Sequence, residues 1–370
     1  MKYYKNFRIS DDENYRMGYI NNAPNPKLRW EKTRDVKVAL DFGLWKDRIN
    51  GIVEAYWRKS KDCVTSEYVP VTTGFFNQSY NTSVLQNNGV EFSLSVAVLK
   101  SKDYNLSVSA NVAWNQNKLK KYNSPNTSLA LDKYVGYPMG AVFSGKYEGI
   151  DPETGMYKFK LRPDAVTNKD GYLREPNNYY YYLGTSVAPF TGGFNLNFSY
   201  KNIGLSVGGS YSVKAKMVDN IESPAGYELL SGSKLESIPT PHNDLYRNHL
   251  NVKREVRNRW TPENRTGVKY PRLIDAYGKK LGLDLTNPTL TTITRGALLE
   301  DISYLRINTI ALSYSLPQRV LERINFSSAA LNLTLNNFFT ITKYSGIDPE
   351  VPGATYPVSR SVTIGLNVGF

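Results

Sequence analysis

Read back from the C-terminus, Phe370, Val368, Leu366, Ile364 and Val362 are apolar, while Gly369, Asn367, Gly365, Thr363 and Ser361 are small or polar. A strict period of two is a β-strand with a different environment on each face. Such a strand ending on an aromatic ring suits an outer-membrane β-barrel, whose aromatic residues form girdles at the two interfaces. A sandwich strand would alternate in the same way, so this segment alone leaves both open.

The same period recurs along the chain. Val36, Val38, Leu40, Phe42 and Leu44 share one face and Asp41 and Gly43 the other; after a turn at 47–50, Val53, Ala55 and Trp57 alternate with Glu54, Tyr56 and Arg58. A charge at every second place of an aromatic strand fits a water-filled lumen. Residues 62–88 read as a polar loop. Beyond it, Val90, Phe92, Leu94, Val96 and Val98 oppose Glu91, Ser93, Ser95 and Ala97, and Leu106 to Trp114 oppose a Ser/Asn face. Phe194, Leu196, Phe198 and Tyr200 lead through a turn at Lys201 and Asn202 into Leu205, Val207, Gly209, Tyr211 and Val213. Between Leu305 and Ile310 the alternation changes phase, which predicts a β-bulge near Asn308 and Thr309. Pro317 ends that strand, and Ala329, Leu331, Leu333 and Leu335 lead into the last hairpin.

Turns at 46–50, 100–104, 201–202 and 317–326 are short, whereas 64–87, 118–138, 218–300 and 343–359 are long. Barrels put short turns in the periplasm and long loops outside. Strand direction then requires residues 118–189 to contribute two strands or none. The fold expected is all-β: a partial antiparallel transmembrane barrel of about 8–10 strands, with 218–300 as a long extracellular loop. Unpaired edges are expected at Val36–Leu44 and at Arg360–Phe370.

Composition agrees with this pattern. The 370 residues hold 28 Tyr, 14 Phe and 5 Trp, and mean hydropathy is −0.45. No window approaches the roughly 18 apolar residues of a spanning helix, whereas barrel strands need only about 9–11 with every second one apolar. The net charge of +13 matches anionic head groups and lipopolysaccharide phosphates at such a wall. Cys63, the single cysteine, excludes an intrachain disulfide framework. Residues 1–7 have no apolar signal-peptide core, so a strand pattern of this kind predicts a piece of a longer precursor.

Several blocks resemble SusC/RagA-type TonB-linked outer-membrane transporters. Residues Asn336–Glu350, with Asn337, Phe339, Tyr344, Gly346, Asp348 and Pro349, are similar to that family's "N-L-F-x-x-T-x-Y-x-G-x-D-P-E" segment. Asn25–Lys32, with Trp30, resembles a hairpin entry, and Asn87–Glu91, with Gly89 and Glu91, an "N-x-G-x-E" strand start. Gly136, Pro138, Gly149, Asp151 and Pro152 fall in a "G-Y-P-x-G … Y-x-G-I-D-P-E-T-G" block. Trp260, Pro262 and Asn264 fall in "W-T-P-E-N", followed by Lys269–Leu273. Tyr304, Leu305 and Arg306 fall in "D-x-S-Y-L-R", and Phe370 is the terminal aromatic residue. The resemblance implies outer-membrane import of oligosaccharides or peptides without cofactor or catalysis. It also implies a SusD-like surface lipoprotein as partner and energy from TonB through an N-terminal part, with plug and signal peptide, that has no counterpart here. A soluble or surface β-sandwich that binds carbohydrate, an adhesin, and a small passive porin stay open as alternatives.

Other constellations carry less. Gly140, Gly145 and Lys146 have phosphate-loop spacing, but Tyr147 stands where Ser or Thr must reach magnesium. His242 and His249, with Asp244 between them, lack metal-ligand spacing. Asp151/Glu153 and Asp348/Glu350 lie in Asp-Pro turns. Lys253, Arg254, Arg257 and Arg259 form a basic run beside Trp260, which reads as a solvated outer loop rather than a nucleic-acid surface. Tyr179, Tyr180, Tyr181 and Tyr182, with Trp260, are the rings available to stack on a ligand or meet lipid.

Overall fold

The computed structural model describes residues 7–9, 18–20, 22–123, 134–153, 155, 157–166, 178–218, 257–269, 295–352 and 356–370. The chain divides into two compact units, Met1–Lys100 with Asn105–Gly140, and Ser101–Tyr104 with Ala141–Phe370. Almost all regular structure is antiparallel β.

The first unit is built on β1 (Lys32–Leu44), β2 (Ile49–Tyr68), β3 (Asn77–Lys100) and β4 (Tyr104–Tyr122), paired in sequence order. Directly paired residues share a face, so the register extends each strand's alternation across the sheet. Val38, Ala55, Val90 and Trp114 form one row, and Leu40, Val53, Phe92 and Val112 the next. Their opposite faces carry Lys37, Tyr56, Gly89 and Asn115, then Ala39, Glu54, Glu91 and Ala113.

The second unit carries β5 (Phe190–Tyr200), β6 (Ile203–Val213), β7 (Tyr304–Ser315), β8 (Ser328–Thr342) and β9 (Ser361–Gly369), again neighbours in order. Phe198, Leu205, Leu312, Leu333 and Ile364 make one apolar row, and Leu196, Val207, Ile310, Leu335 and Val362 another. Between them on the other face run Asn197, Ser206, Ala311, Thr334 and Thr363.

Among the described residues no second layer covers the apolar face. Val38 is 69% exposed, Leu40 64%, Ile364 72% and Leu366 66%. A sandwich would bury these side chains, whereas a lipid-facing wall leaves them bare. Aromatic residues lie toward the ends of the apolar rows, Trp57 and Trp114 at the end of the first unit away from the short turns, Tyr200 and Tyr314 beside the short turns of the second. That is the girdle placement expected of a membrane wall. Among the described residues β1 pairs along its length with β2 alone and β9 with β8 alone, as expected of the two edge strands.

Among the described residues the nine long strands fall within the expected range, and beyond the end of β4 at Tyr122 the segment up to residue 189 adds none to the wall. It forms two short ribbons instead, Ala141–Gly145 with Tyr180–Thr185 and Tyr147–Ile150 with Tyr157–Phe159. The expected bulge is present: against β6, Gly208 pairs with Thr309 and Gly209 with Ile307, leaving Asn308 extra. The short turn after β7 holds one helix, α1 (Gln318–Arg323).

One expectation is overturned. Residues 62–88 are not a loop but a hairpin, because β2 runs to Tyr68 and β3 begins at Asn77, with register shifts around Cys63. Beyond the membrane a strand needs no apolar face, so the periodicity that marks the wall stops while the backbone ladder continues. Polar pairing holds this extension together. Glu67, with no exposed surface, accepts hydrogen bonds from Tyr122 Oη at 2.6 Å and Thr65 Oγ1 at 2.7 Å.

Candidate functional site: the inward face and its outer rim

The face opposite the apolar rows is mostly polar, and in the first unit its Lys37 and Arg58 have carboxylate partners. Lys37 forms an ion pair with Glu54, and Arg58 with Asp35 at 2.6 Å. Tyr56 lies across Gly89, its directly opposite neighbour, and its hydroxyl donates to Asn115 Oδ1 at 3.2 Å. A Cβ on Gly89 would sit 2.3 Å from the Tyr56 ring. The glycine of the "N-x-G-x-E" block therefore exists so that an aromatic ring can lie flat over the backbone. Tyr56, Glu54 and Asn115 were not singled out by the motif reading; only their parity opposite an apolar face marks them. In the second unit the inward rows between the short turns and the bulge are mostly uncharged Asn, Ser, Thr and Gly, with Ser206 Oγ donating to Asn197 Oδ1 at 2.9 Å.

At the outer end of β7 the bulge decides the direction of Arg306. Without the extra residue, Arg306 would fall on the same face as Ile310 and Leu312 and point into lipid. With Asn308 inserted, Leu305 and Ile307 take the apolar face and Arg306 pairs with Ser210 and Thr340 on the inward one. Asn337, opposite the bulge, adopts φ +60°, a left-handed conformation that Asn tolerates better than most residues. Its side-chain amide donates to the Ser359 carbonyl at 3.0 Å.

Arg306 is 3% exposed and Asp348 4%, with Nη2 donating to Oδ1 at 2.5 Å. Nη1 lies 2.8 Å from Glu350 Oε2 without hydrogen-bond alignment, and Nε has no acceptor among the described residues. The guanidinium stands 5.8 Å from the Tyr304 ring centre. Asp348 also accepts from the Glu350 and Val358 N–H groups, at 2.9 and 3.1 Å. Burial alone would raise its pKa, but these backbone donors and then Arg306 outweigh it and hold the carboxyl below its ordinary value. Tyr344, buried beside Ala215 and Ile302, lies over Gly346, where a Cβ would meet the ring at 2.3 Å. The Tyr-Ser-Gly-Ile-Asp-Pro-Glu block is thus a loop folded back onto β7, with Pro349 in the turn.

The other Ile-Asp-Pro-Glu turn has the same local form. Asp151 Oδ1 accepts from Glu153 N at 2.9 Å, and the Asp151 carbonyl accepts from Gly155 N at 2.8 Å. Gly149 precedes it at φ +115°, and Gly136 takes φ +92° before Pro138. Trp260 is 7% exposed and its Nε1 donates to the Pro152 carbonyl at 2.8 Å. It therefore ties its block to the first Asp-Pro turn and does not present a ring for stacking, which corrects its assignment as a ligand contact. Pro262 sits in a turn closed by reciprocal Thr261 and Asn264 backbone bonds at 3.1 and 3.0 Å.

Tyr180, Tyr181 and Tyr182 belong to one of the short ribbons, with Tyr179 in the turn just before it. Tyr181 Oη donates to the Leu161 carbonyl at 2.9 Å, Tyr182 is exposed and tilts against Phe143 at 5.8 Å, and Tyr179 and Tyr180 are half-buried. Trp30 and Phe339 are exposed. Phe370, also exposed, meets Phe326 edge-on at 5.1 Å. Residues 141–145 and 147–150 after Gly140 are strands, so no helix follows to make a phosphate loop. His242, Asp244, His249, Lys253, Arg254 and Tyr270–Leu273 lie outside the described residues.

No protein-family model matches the chain. A TonB-dependent receptor of Formosa agariphila is 25% identical over 95% of this chain and 36% of its own length. SusC of Bacteroides thetaiotaomicron, also a TonB-dependent receptor, is 25% identical over 94% of this chain and 33% of its own. The structure of the RagAB peptide transporter matches all of this chain and 39% of its own, with 25% identity and a TM-score of 0.74. The chain thus spans about a third of the length of the curated relatives it matches. Together with the bare apolar face and polar inner face, these likenesses define a stretch of an outer-membrane TonB-dependent receptor barrel. Within that class the chain is similar to SusC and, across its whole length, to the RagAB structures.

Proposed function

We propose that this chain is the C-terminal wall of a larger barrel that imports oligosaccharides or peptides across the outer membrane. The observation that carries the reading is the two-sided wall, bare of cover on its apolar face and lined inside by paired charges and uncharged amides and hydroxyls. An inward surface of Asn, Ser, Thr and Gly exchanges hydrogen bonds with a hydrated oligomer without a fixed charge preference. The plug, the TonB-contacting segment and the site for a SusD-like lipoprotein belong to parts of the protein outside the described wall. The bare apolar face supports this reading over a soluble sandwich or adhesin.

The test is nutrient uptake by the source bacterium. Deleting the gene should abolish growth on one defined class of oligosaccharide or peptide, and the whole gene should restore it only when TonB is present. Uptake that persists without TonB would favour a passive porin and overturn the proposal. Undiminished growth on every oligomer tried would do the same.

A further inference from the structure

The first unit treats its cations differently on its two faces. Inward-facing Lys37 and Arg58 each have a carboxylate partner. On the outward face, beyond the apolar row ending at Val36 and Trp57, Arg34 stands directly opposite Lys59 and Lys32 opposite Lys61. The Arg34–Lys59 row continues through Gln86 to Lys118. No carboxylate pairs with these cations among the described residues, and the neighbouring acids are engaged elsewhere: Asp35 with Arg58, Asp62 with Arg29, and Glu31 with the Val64 N–H. Like charges directly opposite each other, Cβ atoms about 4.5–5.5 Å apart, repel and destabilise a sheet. Two such pairs stacked on one face need an external counter-charge.

Position names the counter-charge. The Arg34–Lys59 row lies two residues, about 7 Å, beyond Val36 and Trp57 along the strands. It therefore starts where the apolar band and its Trp57 girdle end. This is the end away from the short 45–48 turn, hence the outer leaflet. Long cationic side chains at that height reach the head-group layer with their stems on the apolar surface.

We propose that Lys32, Arg34, Lys59 and Lys61, with Lys118 at the margin, form a binding site for the phosphate groups of a phosphorylated glycolipid of the outer leaflet. Bound phosphate would accept charge-assisted hydrogen bonds from both pairs at once and remove their mutual repulsion. The site is distinct from the import path, because it lies on the lipid side of the wall.

The protein carrying this chain, purified in detergent, would be titrated with diphosphoryl lipid A, with its fully dephosphorylated counterpart, and with inorganic phosphate. Saturable binding of the diphosphoryl form is expected, weakened at least tenfold in Lys32→Gln/Arg34→Gln/Lys59→Gln/Lys61→Gln. The variant Lys46→Gln/Lys102→Gln, at the opposite end of the strands, should bind normally. Substituting Arg for the three lysines preserves the charge and should keep the affinity, which separates loss of charge from misfolding. Diphosphoryl lipid A should also raise the melting temperature of the unmodified protein and leave that of the quadruple Gln variant unchanged. Equal binding by the quadruple variant, or of dephosphorylated lipid A, would overturn the proposal. Inorganic phosphate binding as tightly as the lipid would assign the site to a free anion and overturn the lipid assignment.

Discussion

Replacing Asp348 by Ala should destabilise the outer rim more than replacing its partner Arg306 by Met. Removing Asp348 takes away the acceptor of the 2.5 Å bond from Arg306 Nη2 and of the Glu350 and Val358 N–H groups. It leaves a guanidinium that is 3% exposed, with the unaligned contact to Glu350 and the Tyr304 ring but no hydrogen-bonded carboxylate. Breaking a buried pair from one side typically costs about 3–5 kcal/mol, and that range is expected for Asp348→Ala. Arg306→Met leaves Asp348 with two backbone donors, so the loss is near that of one charge-assisted bond, about 2 kcal/mol. The pH dependence follows from the lowered Asp348 pKa. A carboxyl whose folded pKa lies below its unfolded value contributes fully above the unfolded pKa, about 4, and loses that contribution as pH falls through the folded pKa. Acidification from pH 7 to 5 should therefore not loosen the loop, while pH below about 4 should. The assay is denaturant unfolding in lipid vesicles, with limited proteolysis at 343–360 as a local readout. A cost below about 1 kcal/mol for Asp348→Ala, or a larger cost for Arg306→Met, would refute the assigned asymmetry.

Two further substitutions test the wall and its bulge. Ile364→Arg should cost about 2–4 kcal/mol in a vesicle folding assay, and Leu366→Arg less, because the Leu366 row ends on Tyr200 and Tyr314 at an interface; equal costs would argue against the depth assigned to these rows. Asn337→Ala should cost about 1–2 kcal/mol for its left-handed backbone, while Asn337→Gly should lose little beyond the Ser359 contact, and unfolding midpoints of the two would expose a reversal of that order.

The alternation of Val362 to Phe370, and of the other membrane rows, determined the strand faces, the short turns and the class of wall, because lipid on one side and water on the other impose a period that survives in sequence. The phase change at Leu305–Ile310 even located the bulge. Tertiary structure alone decided why it is there: it turns Arg306 away from lipid toward Asp348, forty-two positions later in the chain. The hairpin at 62–88 was illegible because strands in water on both faces carry no hydrophobic period. Trp260 read as an available ring because nothing in its own segment records that Pro152, 108 residues earlier, accepts its N–H. The outward cation pairs were visible only as scattered Lys and Arg until the β1–β2 register set Arg34 beside Lys59 and Lys32 beside Lys61. Local environment leaves a periodic mark on a sequence; a partner chosen across the fold leaves none.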